Sequence, residues 1–405
     1  MKTLWIPAVH LPHGKEIFKN SSLRPKANKK LLKCYGERAL LQCRPGDAIV
    51  LANMPEEDYL RFLLDRGIGA EKIIVCGGEH DNLAQDILAD DTVMARIAEE
   101  AKNAGAVRFY IHLEEEYEIA RRIGFEGQPM HPALTRTFNT LYFLERLEED
   151  LGIPHIERTM ARSSRFYGPA ASMLEKHGAV FVRGNESCGG SQAYVIRSEG
   201  DLKKVEKQIF RNSRITRYYL SPLLDVSESW NVQYEFVKGK SFSLTGASRQ
   251  ILNGGYAHAG NSGGDSPPRG LMECADKFGR RLMEMGAAGT VGIDFVSSGG
   301  GVFPVEINAR ENTSSPAISA YRMLKEKTRG KILFKIVKLA VPRGTTFADF
   351  RKALGEDMLF DPDSGRGVLP YHFDACIVTG NLDAAVFARN KAELESAVNS
   401  LEKAI

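Results

Sequence analysis

The stretch Gly292-Ile-Asp-Phe-Val-Ser-Ser-Gly-Gly-Gly-Val-Phe-Pro-Val-Glu-Ile-Asn-Ala-Arg310 decides how this chain is read. It reads as two strands joined by a Ser/Gly turn. Side chains alternate faces along a strand, so Ile293 and Phe295 point one way and Asp294 the other. On the return strand Val305 and Ile307 fall on the apolar side, which leaves Glu306 and Asn308 opposite. A turn around residues 298–300 sets Asp294 near Pro304 and diagonal to Glu306. Such diagonal neighbours lie roughly 7–8 Å apart, a gap that one or two bound cations bridge. Two carboxylates and an amide oxygen form a hard-oxygen ligand set suited to Mg²⁺ carrying phosphates. A hairpin with an idle, solvent-facing polar side has the same pattern, and the stretch alone leaves both readings open.

Working outward, 405 residues are enough for two to four subdomains around well-buried cores. Hydrophobic content of 43% and charged content of 26% are those of an ordinary soluble globular chain. A net charge of +3 gives no support for nucleic acid or an anionic membrane as the main partner. Positive charge is dense over residues 15–33 but is opposed by acidic runs at 114–118 and 145–150, each simplest as a solvated face. The six cysteines, Cys34, Cys43, Cys76, Cys188, Cys274 and Cys376, contain no C-x-x-C pair, which points to a reducing compartment. The opening Met-Lys-Thr-Leu-Trp-Ile-Pro-Ala-Val is too soon interrupted for a signal peptide. No stretch reaches the eighteen or so apolar residues of a spanning helix. The expectation is a soluble, cytoplasmic protein.

The first third alternates strand-like runs (3–9, 48–51, 72–75, 107–112) with helical patterns (57–65, 92–104), which predicts a small parallel α/β layer. Asn53-Met-Pro-Glu-Glu and Cys76-Gly-Gly-Glu-His follow strands, at the edge where open sheets place ligands. Glu79 and His80 are therefore candidates for substrate contact, with a plain βα turn as the alternative. A helix over 138–151 stops at Gly152-Ile-Pro154. After it come a helix at 168–177, strands at 179–183 and 194–197, and a hairpin turning at Lys238-Gly239. Residues 250–270 are rich in Gly, Asn, Ser and Pro and read as a long loop, a type that is usually functional. A helix follows Pro316, and the tail holds a helix, a strand at 375–378 and a terminal helix at 391–403.

Phe181-Val-Arg-Gly-Asn-Glu-Ser-Cys-Gly-Gly-Ser191 is a strand entering a loop of small residues. Glycines let a backbone approach phosphate closely and aim several N–H groups at it, with Arg183 as countercharge. A simple turn explains the loop equally well.

Four pieces nevertheless stand in a known order: Gly152-Ile-Pro154, the loop at 181–191, Tyr218-Tyr-Leu-Ser-Pro-Leu-Leu-Asp225, and Asp294 followed twelve residues on by Glu306-Ile-Asn-Ala-Arg310. Over about residues 131–325 the chain resembles ATP-grasp carboxylate–amine ligases. In its general layout, including Gly367-Val-Leu-Pro-Tyr371, it is similar to the pre-ATP-grasp peptide ligases of the pheganomycin type. The resemblance implies an α/β (α+β) ATP-grasp fold. It divides into an N-terminal pre-ATP-grasp α/β domain at 1–130, an ATP-grasp domain at 131–330 with a small lid at about 155–222, and a small C-terminal α/β extension at 331–405.

The resemblance also implies roles. Asp294, Glu306 and Asn308 hold magnesium, as one ion or two with Mn²⁺ as a substitute, and Arg310 faces the terminal phosphate or an acyl phosphate. Arg183 with Ser187, Gly189, Gly190 and Ser191 grips the triphosphate of ATP. Leu223 and Leu224 supply backbone contacts and apolar cover for adenine, or else are simply core, while Glu228 or Asn231 reaches the sugar. Arg249 is a candidate ligand of phosphate or substrate carboxylate, or a surface arginine, and His258 is a candidate substrate contact. The chain departs from the family in having Arg183 for lysine and Gly184 for proline. It also lacks a lysine near Asn139-Thr-Leu141, for which Arg136 or Arg146 stand as substitutes unless the nucleotide grip differs. The activity implied is ADP-forming amide synthesis from a small carboxylate or amino acid and an amine, in a protein that is usually a homodimer. A small-molecule kinase and a non-catalytic ATP-binding protein remain open beside it.

Overall fold

The computed structural model describes residues 2–10, 25–125, 127, 129–186, 192–211, 215–254 and 256–405. Strands β1 (Thr3–Ile6), β2 (Ala48–Leu51), β3 (Lys72–Val75) and β4 (Ala106–Phe109) form a parallel sheet in the order β3-β2-β1-β4. Both faces of its central strands are covered. Leu4, Ile6, Ala48 and Val50 enter one core, while Trp5, Ile49 and Leu51 enter another. Burial on both sides is why these strands read as unbroken apolar runs instead of alternating ones.

A second, antiparallel sheet contains β5 (Thr159–Arg162), β6 (Val180–Gly184), β7 (Ala193–Ile196) and β8 (Arg217–Pro222), ordered β5-β8-β6-β7. Its strands alternate. Val180, Val182 and Ile196 pack under the helices Tyr167–His177 and Glu199–Arg211, whereas Phe181, Arg183, Tyr219 and Ser221 look the other way, into a cleft.

Across that cleft lies an eight-stranded antiparallel sheet. Its strands are β9 (Glu228–Val237), β10 (Ser241–Asn253), β11 (Ala257–Gly263), β12 (Gly289–Ser298), β13 (Gly301–Asn308), β14 (Leu333–Ala340), β15 (Gly367–Tyr371) and β16 (Asn381–Ala388). The order is β13-β12-β9-β10-β11-β14-β16-β15. Behind one half, Trp230, Val232, Ile293, Phe295 and Ile307 pack with Phe278 of the helix Arg269–Glu284. The residues of 331–405 build no sheet of their own, because β14, β16 and β15 continue the central one. Among the described residues no helix is long and apolar enough to cross a membrane.

Two expectations are corrected. Residues 250–270 are not one loop: β10 runs to Asn253, β11 occupies Ala257–Gly263, and a helix begins at Arg269. The polar residues that suggested a loop pair with one another inside the sheet, as Asn261 does when its Nδ2 donates to Ser248 Oγ at 3.0 Å. Residues 375–378 are helical, within Phe373–Thr379, and the strand is the next segment, Asn381–Ala388. A short apolar run does not distinguish a buried helix from a strand, and here Gly380 at φ 67° ends the helix.

Candidate active site

The hairpin of β12 and β13 forms the floor of the cleft. Gly299 and Gly300, at φ 56° and 80°, make a two-residue turn of the primed kind that matches strand twist. The register therefore runs Ser298↔Gly301 to Phe295↔Pro304, half a residue from the turn predicted from sequence. A bulge then intervenes, and Asp294 pairs directly with Glu306, not diagonally with it and not with Pro304. Ile293 faces Ile307 and Gly292 faces Asn308. The extra residue in the bulge is what turns Glu306 and Asn308 onto the face of Asp294. Val305, expected on the apolar side, also lines the cleft.

Each polar group on this floor is oriented. Asp294 Oδ1 accepts from Asn231 Nδ2 at 2.6 Å, and its Oδ2 accepts from Asn308 Nδ2 at 3.1 Å. Asn308 Oδ1 in turn accepts from Arg310 Nη2 at 2.7 Å. Glu306 accepts from Arg183 Nη2 at 2.8 Å, and the other arm of that guanidinium donates to Val305 O at 2.9 Å. Burial first, and then the Glu306 charge opposite, push the Asp294 carboxyl up to about 6. Two paired carboxylates with one arginine on Glu306 form an anionic oxygen cradle. A small dication fits it better than does a single spread-out guanidinium.

Beneath Asp294 a buried polar network continues along the sheet. Gln233 Nε2 donates to Asn231 Oδ1 at 2.6 Å and to Ser314 Oγ at 2.8 Å, and Ser315 Oγ donates to Gln233 Oε1 at 2.7 Å. Asn231 Nδ2 also reaches Asn312 Oδ1 at 3.1 Å. The side chains of Asn231, Gln233, Ser314 and Ser315 each have a partner in this network, which fixes their orientation beneath Asp294.

The cleft has a volume of about 270 Å³. Arg183, Leu223, Leu224, Asn231, Asp294, Glu306, Asn308, Arg310 and His258 line it. Ser187, Gly189, Gly190 and Ser191 lie outside the described residues. Several sequence candidates are placed elsewhere. Arg249 pairs with Glu228 at 3.0 Å and lies over the Trp230 ring at 5.1 Å, and neither Arg249 nor Glu228 lines the cleft. Strand alternation is the reason: Arg249 is in register with Trp230 on the core-facing side, whereas Ser248 and Gln250 take the other side.

Arg136 is engaged by Glu114 and Arg146 by Glu149, so neither substitute for the absent lysine reaches the cleft. Glu79 and His80 also stay away from it, with His80 bound to Asp86 at 3.0 Å. Sequence reasoning passed over Arg158, which lines the cleft while ion-paired to the buried Glu148. It also passed over Gln250 and Asn261, which fall inside the expected loop. A strand reading of 248–263 with inward polar residues was the signal available for those two.

Comparison with known proteins bears on the fold. The model of the family described as the pre ATP-grasp domain matches residues 36–125. Comparison with curated proteins returns no match. Among solved structures, N5-carboxyaminoimidazole synthetase from Staphylococcus aureus in complex with ADP superposes with a TM-score of 0.57 at 9% identity, covering 99% of this chain and 96% of that one. Biotin carboxylase from Campylobacter jejuni, as its beta-gamma-ATP complex, gives 0.57 at 13% identity over 98% and 91%. N5-carboxyaminoimidazole ribonucleotide synthetase from Thermus thermophilus gives 0.54 at 13% identity over 100% and 98%. The chain thus has the ATP-grasp fold, with a pre-ATP-grasp domain leading into it.

Proposed function

We propose that this protein is an ATP- and Mg²⁺-dependent, ADP-forming carboxylate–amine ligase acting on small molecules through an acyl phosphate. The observation that carries the reading is the direct pairing of Asp294 with Glu306 on the cleft floor, with Asn308 and Arg310 on the same strand end. Similar folds holding ADP and a beta-gamma-ATP molecule support the nucleotide part of it.

In this reading Leu223 and Leu224 would cover the base, and Arg183, which holds Glu306, would meet phosphate. Asp294, Glu306 and Asn308 are the residues that would hold Mg²⁺, or Mn²⁺ in its place; when bound, the metal neutralises charge on the transferring phosphoryl group. Arg310 is aimed by Asn308 Oδ1 and stabilises the charge that develops on the acyl phosphate. The lid sheet β5–β8 excludes water, to which an acyl phosphate is labile. The reactants are a small carboxylate and an amine, without nucleic acid or membrane, in a cytoplasmic homodimer.

The test is ADP release across a matrix of small carboxylic acids, amino acids and amines, with mass detection of products. The expected result is an amide that appears with ADP, and loss of both in Asp294→Asn and Glu306→Gln. Unchanged turnover in both variants refutes the reading. A phosphorylated hydroxyl with no amide would assign a kinase instead.

A further inference from the structure

We propose that His258 is a catalytic base of this site, taking a proton from the incoming amine; the proposal rests on the ligase reading above. The first support is the path of β11. Along β10, Ser248, Gln250 and Leu252 alternate onto the polar side of the sheet, and Gln250 and Leu252 reach the cleft wall. Asn261 lies opposite Gln250, so a regular strand would bring residues 261, 259 and 257 to that wall and turn His258 away. The register shifts between Ile251 and Leu252, and Leu252 pairs with His258. This bulge is what lets Asn261 and His258, three residues apart, both line the cleft. The cleft thus contains two bulges, and each re-aims a polar side chain onto the same side of the central sheet.

The second support is the hydrogen bonding of the ring. Asn261 Nδ2 donates to Ser248 Oγ at 3.0 Å, so its Oδ1 is the atom that meets His258 Nε2 at 2.8 Å. An amide oxygen only accepts, so Nε2 is the donor, and in the neutral ring this bond selects the tautomer whose lone pair is on Nδ1. Among the described residues no hydrogen bond engages Nδ1. Ser248 Oγ contacts Ser314 Oγ at 3.1 Å, and Ser314 belongs to the network that reaches Asn231 and Asp294. Asn261 is therefore a positioning residue that fixes the tautomer, and the same scaffold holds the base and the metal carboxylate. The other ionisable groups lining the cleft are Arg158, Arg183, Arg310, Asp294, Glu306 and two tyrosines, Tyr219 and Tyr256. The arginines cannot act as bases, and the carboxylates are committed to ion pairing or metal. Tyr219 donates its hydroxyl to Glu145, and a phenol is a weak base beside an imidazole; among the described residues His258 is the cleft group with an open basic nitrogen.

The chemistry balances. An amine reaches the enzyme as an ammonium ion, which has no lone pair for attack. His258 Nδ1 takes one proton, the nitrogen bonds to the acyl carbon, and the carbon–oxygen bond to phosphate breaks with its electron pair leaving on phosphate. The second proton goes to that phosphate. The products are amide, hydrogen phosphate and an imidazolium that releases its proton to solvent.

The experiment compares wild type with His258→Gln and His258→Ala. Glutamine can still donate to Asn261 but has no basic nitrogen, so it separates loss of the base from loss of the scaffold. With strongly basic aliphatic amines both variants are expected to lose about 100-fold in amide formation, the scale of general-base assistance. With hydroxylamine, unprotonated at neutral pH, the loss should shrink to a few-fold, and added imidazole should restore part of the His258→Ala rate. Wild-type rates in both variants, or an equal loss with hydroxylamine and no imidazole rescue, overturn the proposal. If wild type makes no hydroxamate from any acid tested, the ligase reading itself fails and this proposal falls with it, a result distinct from the other two.

Discussion

Arg183 shows what the residue scale adds. Its two arms hold Glu306 and Val305 O together, so strand β6 is tied to the β12–β13 hairpin through one side chain. Lysine would bring a single charged nitrogen to that place, without the rigid fork that meets two acceptors from separate nitrogens. Arg183→Met is expected to raise the KM for ATP about tenfold, the equivalent of roughly 1.4 kcal/mol. Arg183→Lys should recover only part of this, as read by steady-state kinetics at varied ATP. Residue types here were legible in the sequence: Asp294, Glu306, Asn308, Arg310 and Arg183 all line the cleft. Pairing was not legible. Arg249 and Glu228 had the right chemistry but sit on the core-facing side of their strands, bound to each other.

At the scale of elements, the hairpin β12–β13 depends on small residues at defined places. A Cβ on Gly292 would collide with the side-chain amide of Asn312, inside the network below Asp294. Gly292→Ala is expected to cost roughly 1–3 kcal/mol by overpacking and to lower turnover as well, because Asn312 must move. Gly299→Ala, at φ 56° with open space around it, should cost about 1 kcal/mol of backbone strain and leave turnover intact. Denaturant melts together with ADP release distinguish the two. The two strands of this hairpin were readable from alternation, but neither its bulge nor the one in β11 was. A bulge is one residue out of phase, and only the partner strand reveals it. The loop reading of 250–270 fails for a related reason: composition reports polarity, while the sheet buries Asn261 and Ser248 against each other.

For the whole molecule, pH should act through groups buried between its parts. Glu37 sits in the 3-10 helix Tyr35–Gln42, where it accepts from Asp374 N at 2.9 Å at the start of the helix Phe373–Thr379. Burial, reinforced by the Asp374 charge, pushes its carboxyl up from 4.5 to about 8. The folded state thus binds this proton more tightly than the unfolded chain does. Its contribution is complete below pH 4.5 and is lost as pH rises to 8. Glu37→Gln, which keeps the acceptor without the charge, is expected to raise the melting temperature at pH 8.5 and to change little at pH 4.5.

His112 has the opposite sign. Burial lowers it from 6.5 to about 4, and its Nδ1 accepts from Met130 N at 3.2 Å. Stability from this group is full above pH 6.5 and declines as pH falls toward 4. Thermal melts of wild type should therefore show a maximum between these limbs, and Glu37→Gln should flatten only the alkaline one.

By itself the sequence determined the α/β alternation of its first third and the residue types of the hairpin at 292–310, and its resemblance to ATP-grasp ligases implied the fold class. The first two follow from apolar periodicity and from a motif only a few residues long, the third from four motifs standing in family order. The tertiary structure decided what depends on a second strand or a distant segment: that Asp294 faces Glu306 directly, that the C-terminal residues continue the central sheet, and that His258 turns to the cleft. Register and burial are properties of pairs of segments, set by the packing of both, and no single segment encodes them.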